Sequence, residues 1–62
     1  MEKTIDEQIA SIVREIGMRQ RVYKKWVTNG TMKQEQANHE IECMMAVHRT
    51  LIEVRRKQES LG

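Results

Sequence analysis

YKKWVTNGT, residues 23–31, separates two long segments in which apolar residues recur with helical spacing. Gly30, with Asn29 before it, tolerates the left-handed backbone conformation in which many helices end. An Asn-Gly pair also favours a β-hairpin turn, but only between segments of alternating polarity. Because both flanks here have a helical period, the sequence predicts a turn between two helices.

The segment before the turn has the features of one long helix. Thr4 and Glu7 have the spacing of a capping box, and Asp6 and Glu7 place negative charge on the first turn, where the helix dipole favours it. This pattern predicts a first helix over about residues 5–27. Its apolar stripe advances in steps of three and four residues, with Arg19 filling the one gap between Ile16 and Tyr23. The stripe is formed by Ile5, Ile9, Ile12, Ile16, Tyr23 and Trp26, with Val13 and Val27 beside it.

The segment after a turn at residues 28–32 predicts a second helix over about residues 33–59. Thr31 and Gln34 form a candidate capping box at its start. Its first apolar line consists of Ala37, Ile41, Met44, His48 and Leu51, with Met45 and Ile52 alongside. A second line, at intervals of seven, consists of Val47, Val54 and Leu61.

The two lines together cover about half of the helix circumference, which is more than one partner helix buries. We therefore expect an all-α fold, a two-helix antiparallel hairpin that associates as a homodimer (a four-helix bundle) or a higher oligomer. Polar residues on such a seam commonly fix register. The candidate oligomer-interface residues are Val47, Val54, Leu61, His48 and Arg55.

Length and composition limit the other possibilities. Residues 1–62 are enough for one small domain, and a single cysteine, Cys43, excludes an intrachain disulfide and favours a reducing, cytoplasmic setting. No apolar run approaches the length of about 20 residues that spans a bilayer, and the N-terminus lacks the apolar core of a signal peptide. We expect no membrane association. A net charge of +2 does not by itself indicate nucleic-acid binding.

A basic and aromatic cluster immediately before the turn is the sharpest candidate site. Its residues suit an anionic partner, with cations on phosphates or carboxylates and an aromatic ring for stacking. The candidate partner-binding residues are Arg19, Arg21, Lys24, Lys25, Trp26 and Asn29. A purely structural explanation is favoured, because an antiparallel hairpin sets these cations opposite Glu35, Glu40 and Glu42, and sets Asp6 and Glu7 opposite Arg55, Arg56 and Lys57. Tyr23 and Trp26 would then belong to the core.

Metal binding and catalysis have little support. His39 and Cys43 are four residues apart on one helical face, but two ligands per chain are too few for a zinc site unless a symmetric dimer supplies the others. The sequence has no glycine-rich phosphate loop and no serine placed beside a base and an acid. We expect no metal, no cofactor and no enzymatic activity. A pH-sensitive self-association through His48 is a further hypothesis, since histidine as a residue type changes charge near neutrality.

Residues Met18–Ile41 resemble a group of short proteins encoded in bacteriophage and prophage genomes. The shared features are a basic, Tyr- and Trp-containing helix end, a glycine, a Met, and a helix carrying Glu, Ala and an acid–Ile pair. A Ser or Thr often stands where this chain has Lys33. The resemblance implies a phage context and no particular mechanism. We therefore expect a non-enzymatic interaction protein that binds and modulates a host or phage protein, with nucleic-acid binding as the alternative.

Overall fold

The computed structural model describes residues 3–61, which form a helical hairpin. Helix α1 spans Ile5–Thr28 and helix α2 spans Gln34–Leu61. Within residues 3–61 there is no β-strand. The all-α hairpin expected from the sequence is thus confirmed. Helix α1 ends one residue later than expected, while α2 begins one residue later and continues to Leu61.

The start of α1 has the capping box that its sequence predicts. The Glu7 amide donates to the Thr4 hydroxyl at 3.1 Å, and the Thr4 amide donates to a Glu7 carboxylate oxygen at 3.2 Å. Two of the amides that a helix N-terminus leaves without a partner are therefore satisfied by side chains. The first residue of α1 is therefore defined by local hydrogen bonds that do not involve α2.

The bend closes through backbone hydrogen bonds that end α1. Gly30 has φ of +82°, its amide donates to the Val27 carbonyl at 3.2 Å, and the Thr31 amide donates to the Trp26 carbonyl at 2.8 Å. This pair of bonds around a left-handed glycine is the Schellman motif. It reverses the chain using only local backbone groups.

The start of α2 differs from the expected capping box. The Thr31 hydroxyl donates to the Asn29 side-chain oxygen instead of capping α2, and the Gln34 side chain donates to Asn38. Helix α2 begins at Gln34, directly after Lys33. The capping box predicted from Thr31 and Gln34 is therefore wrong, because Asn29 in the turn takes up the hydroxyl that was to cap the helix.

The seam between the helices is narrow. Among residues 3–61, only Ile9, Tyr23 and Ala37 are buried. The remaining residues of the seam are half-buried. In the last turn of α1 the half-buried residue is Val27, whereas Trp26 is exposed. The apolar residues that face the partner helix without being fully covered include Ile5, Ile12, Ile16, Ile41, Met44 and Leu51.

The hairpin is long and thin. Its extents are 49 × 21 × 15 Å and its Cα radius of gyration is 14.6 Å, compared with about 11 Å for a compact chain of this length. Two helices side by side leave both flanks and both outer faces open to solvent. The chain therefore has much more surface than a compact protein of its size.

Candidate interaction surfaces

The two aromatic side chains at the end of α1 have different environments. Tyr23 is 8% exposed, whereas Trp26 is 42% exposed. Their ring centroids are 5.8 Å apart and the ring planes are tilted by 37°. Core packing, which the sequence offered as an explanation for both rings, is confirmed for Tyr23, whereas Trp26, whose placement the sequence left open, is exposed. Trp26 lies at the edge of the seam, where its ring is next to the Tyr23 ring and much of its surface stays exposed to solvent.

Arg19 is held by neighbours on its own helix. Its guanidinium donates to the Tyr23 hydroxyl at 3.3 Å and to a Glu15 carboxylate oxygen at 3.4 Å. The hydrogen bond to Tyr23, followed by the bond to Glu15, raises the pKa of Arg19 above its ordinary value. This arginine stays charged, and its main contacts orient the buried tyrosine.

The cations nearest the bend lack the ion pairs expected across the hairpin. No carboxylate among residues 3–61 lies within 4 Å of the charged groups of Arg21, Lys24 or Lys25. Lys24 and Glu42 line the same groove without forming an ion pair. The sequence left open whether these cations pair with the acids of α2, and among residues 3–61 the structure shows no such ion pair.

At the open end of the hairpin the expected charge pairing is partly present. Arg55 on α2 contacts Asp6 on α1 at 3.4 Å, and it also lies 4.0 Å from Glu59. Arg56 pairs with Glu53 on its own helix. The ion pair between Asp6 and Arg55 thus connects the two helices at this end.

Asn29, a predicted contact residue, takes part in the turn. Its side-chain oxygen accepts hydrogen bonds from the amide and the hydroxyl of Thr31. The amide of Asn29 donates to the Lys25 carbonyl at 3.0 Å. Asn29 therefore stabilises the bend, and the cluster of Arg21, Lys24, Lys25 and Trp26, which we call the bend surface, carries the exposed cations and the aromatic ring.

A second exposed surface lies along one flank of the hairpin. Val47 is 48% exposed and Val54 is 38% exposed. Val47 and Leu51 line a groove with Ile12 of α1, whose remaining wall is polar. We call Ile12, Val47, Leu51 and Val54 the flank strip. Leu61, at 89% exposure, extends the line of Val47 and Val54 to the end of α2.

The opposite flank has a smaller apolar groove. Val13, Ile16, Met45 and His48 line it, together with two polar residues. The predicted interface residues therefore do not share one surface: Val47 and Val54 are on the flank strip, His48 lines the other groove, and Arg55 is bonded to Asp6. Sequence reasoning did not select Val13, although its position beside the seam indicated it.

The remaining polar side chains do not assemble a metal site in the described part of the chain. The His39 Nε2 atom lies 3.6 Å from the Cys43 Sγ atom, so the two share a face as their spacing predicts. Within residues 3–61, no group of three or more His, Cys, Asp or Glu side chains is placed to bind a metal ion. This pair is exposed and has no third ligand in the part of the chain that the structure describes.

Comparisons with known proteins give no relative: no protein-family model, no curated protein and no solved structure matches this chain. Neither of the two helices described over residues 3–61 is long and apolar enough to cross a membrane. Within residues 3–61, the bend surface with its unpaired cations and the flank strip with its exposed valines are the two surfaces that differ most from an ordinary solvated helix face.

Proposed function

We propose that this chain is a small, non-enzymatic interaction protein of phage type, which acts in the cytoplasm by binding and modulating a host or phage protein. The bend surface carries this proposal. Arg21, Lys24 and Lys25 have no carboxylate partner within residues 3–61, and Trp26 beside them is 42% exposed. Exposed aromatic and arginine side chains are the residue types most enriched at protein–protein contacts.

The chemistry of the bend surface favours an acidic partner. Its cations can form charge-assisted hydrogen bonds with carboxylates, and the Trp26 ring offers apolar area that is already oriented by Tyr23. The underlying scaffold is stiff, because the Schellman bonds fix the turn and Arg19 holds the Tyr23 hydroxyl. A pre-oriented surface of this kind loses less conformational entropy on binding than a flexible one does.

The experiment is affinity purification of the tagged chain from host cells, followed by mass spectrometry, with matched variants. Arg21→Gln with Lys25→Gln removes two charges at the bend, and Arg56→Gln with Lys57→Gln removes two charges at the other end. We expect a specific acidic protein that is lost with the first variant and with Trp26→Ala, and kept with the second. A partner retained equally by all variants would contradict the proposal.

Nucleic-acid binding is the second candidate, and the same unpaired cations beside an exposed aromatic ring favour it. Three phosphate contacts would make the logarithm of the affinity for duplex DNA fall with the logarithm of salt at a slope of about −2.7. Stacking on Trp26 would make Trp26→Ala weaken single-strand binding by about 1–3 kcal/mol. A gel-shift titration separates the candidates, since the absence of any shift at low salt eliminates nucleic-acid binding.

We also propose that the hairpin works as a homo-oligomer, most simply a dimeric four-helix bundle. Its accessible surface is 5216 Å², whereas a compact monomer of 7.4 kDa exposes about 4200 Å². The excess of about 1000 Å² per chain exceeds the roughly 800 Å² that each partner buries in a standard interface. Sedimentation equilibrium at micromolar concentration tests this, and a well-folded monomer there would contradict it.

A further inference from the structure

We propose that the flank strip is the surface on which a second copy of this chain packs, with the two bends at opposite ends of the dimer. This inference rests on the proposed self-association and adds the face and the orientation. The flank strip has two exposed valines, Val47 and Val54, seven residues apart on α2, with Leu51 between them. Such spacing places all three on one continuous line along the helix.

The opposite flank offers a less extended contact. Its exposed apolar side chains, Val13 and Met45, line one groove together, with His48 and Arg49 on the same wall. A contact there is confined to the middle of the hairpin and would cover polar groups that have no side-chain partner among residues 3–61. The flank strip instead extends over two turns of α2 and continues towards Leu61. The greater apolar length selects the flank strip for the second copy.

Two symmetric arrangements can pack one flank strip on another. If the bends lie at the same end, α2 faces the partner's α1, and the valines meet the polar wall formed by Gln8, Ser11 and Glu15. If the bends lie at opposite ends, α2 packs antiparallel on the partner's α2. With the two-fold axis at Leu51, Leu51 meets its own copy, and Val47 comes within one residue of Val54 of the partner subunit.

Apolar matching therefore selects the antiparallel arrangement. Centring the dimer on Leu51 also places the first turns of α2 and the bend beyond Leu61 of the partner subunit. Both bend surfaces then remain uncovered, at opposite ends of one assembly.

The first experiment compares two variants on opposite flanks by sedimentation equilibrium. Val47→Glu adds a charge to the flank strip, and Met45→Glu makes the same change at a similarly exposed position on the other flank. We expect Val47→Glu to raise the dimer dissociation constant at least about a hundredfold, since each dimer loses two apolar contacts and gains two buried charges. Met45→Glu should change it less than about threefold.

The outcomes separate the two proposals. A wild-type chain that stays monomeric contradicts self-association itself. A dimer that survives Val47→Glu, or that dissociates with Met45→Glu, keeps self-association and overturns the choice of flank. Helix content from circular dichroism, measured at the same concentrations, shows whether each variant still forms its helices.

The second experiment uses the unsubstituted sequence and tests the orientation. Cys43 is the only cysteine and is exposed, so a nitroxide label can be attached to it and the label–label distance measured by pulsed electron resonance. The antiparallel dimer centred on Leu51 separates the two Cys43 positions by about 24 Å along the axis, at 1.5 Å per residue. Bends at the same end would instead give roughly 10–15 Å, which would overturn the proposed orientation.

Discussion

At the scale of single residues, the bend depends on a backbone conformation that only Gly30 supplies easily. Its φ of +82° lies in the left-handed region, and nothing lies within 4 Å of where a Cβ would be. The obstacle to a side chain at Gly30 is therefore its own backbone, not a neighbour. Gly17 is the opposite case, since it lies inside α1 and an added Cβ would meet only the Arg21 side chain, at 4.0 Å.

We predict effects of opposite sign for alanine at these two glycines. Gly30→Ala should lower the free energy of unfolding by about 1–2 kcal/mol, the cost of a left-handed alanine. Gly17→Ala should raise it by about 0.5–1 kcal/mol, because alanine favours the helix and no contact is disturbed. Urea unfolding followed by circular dichroism measures both, and a stabilising Gly30→Ala would show that the bend is not as described.

Trp26 shows what residue-level reasoning could and could not predict. The spacing of apolar residues placed both aromatics on one stripe, yet positions three apart on a helix differ by about 60° in direction. Tyr23 of α1 and the small Ala37 of α2 are buried in the seam. Trp26 therefore lies at the edge of the seam and is exposed. The stripe could be predicted from periodicity, but its centre depends on how the two helices are rotated against each other.

At the scale of elements, local signals predicted the helix positions well where only one hydrogen-bonding solution exists. The Thr4 capping box and the left-handed Gly30 are of this kind, and both are present. Thr31 had two possible partners, and Asn29 proved to be the one it contacts. Ion pairing at the bend could not be predicted for a related reason. Opposite charges on facing helices do not ensure that the charged groups come within ion-pair distance.

We predict that the N-terminal cap contributes measurably to the stability of α1. Thr4→Ala removes the hydroxyl that accepts from the Glu7 amide, and should lower the free energy of unfolding by about 0.5–2 kcal/mol. Thr50→Ala is the matched control, because the Thr50 hydroxyl bonds only the Ala46 carbonyl within α2. That change should be neutral or slightly stabilising. Equal losses in the two variants would argue against a capping role for Thr4.

The ion pair between Asp6 and Arg55 should add little to stability. Both side chains are more than one-third exposed, so solvent and salt screen their attraction. A double-mutant cycle with Asp6→Asn and Arg55→Gln should give a coupling of about 0.2–1 kcal/mol that shrinks with added salt. A coupling that is large and independent of salt would indicate that this end of the hairpin is shielded from water, as it would be inside an assembly.

At the scale of the whole molecule, the small number of buried residues is the main constraint. A chain of this length rarely obtains more than about 3–5 kcal/mol from its own core. Ile9, Tyr23 and Ala37 are the only buried apolar residues among residues 3–61, and several large apolar side chains are exposed. The wide apolar arc of α2 could be read from the sequence, whereas its division into a seam and two flanks required the hairpin geometry.

We predict that thermal stability depends on protein concentration. For a folded dimer in equilibrium with unfolded chains, each tenfold increase in concentration adds about 1.4 kcal/mol per dimer. At the entropy of unfolding typical for two chains of this size, the melting temperature should rise by about 5 °C. Melting curves recorded over two decades of concentration provide the measurement. A melting temperature that does not change would indicate a self-sufficient monomer.

The pairing of Tyr23 with Trp26 has a practical consequence for spectroscopy. They are the only Tyr and Trp in a chain that has no Phe, and their rings lie 5.8 Å apart beside the bend. Every near-ultraviolet signal and all intrinsic fluorescence therefore originate within one turn of α1, next to the cations of the bend surface. Emission from this protein is a local reporter of what contacts the bend, and it is nearly silent about events at the far end of the hairpin.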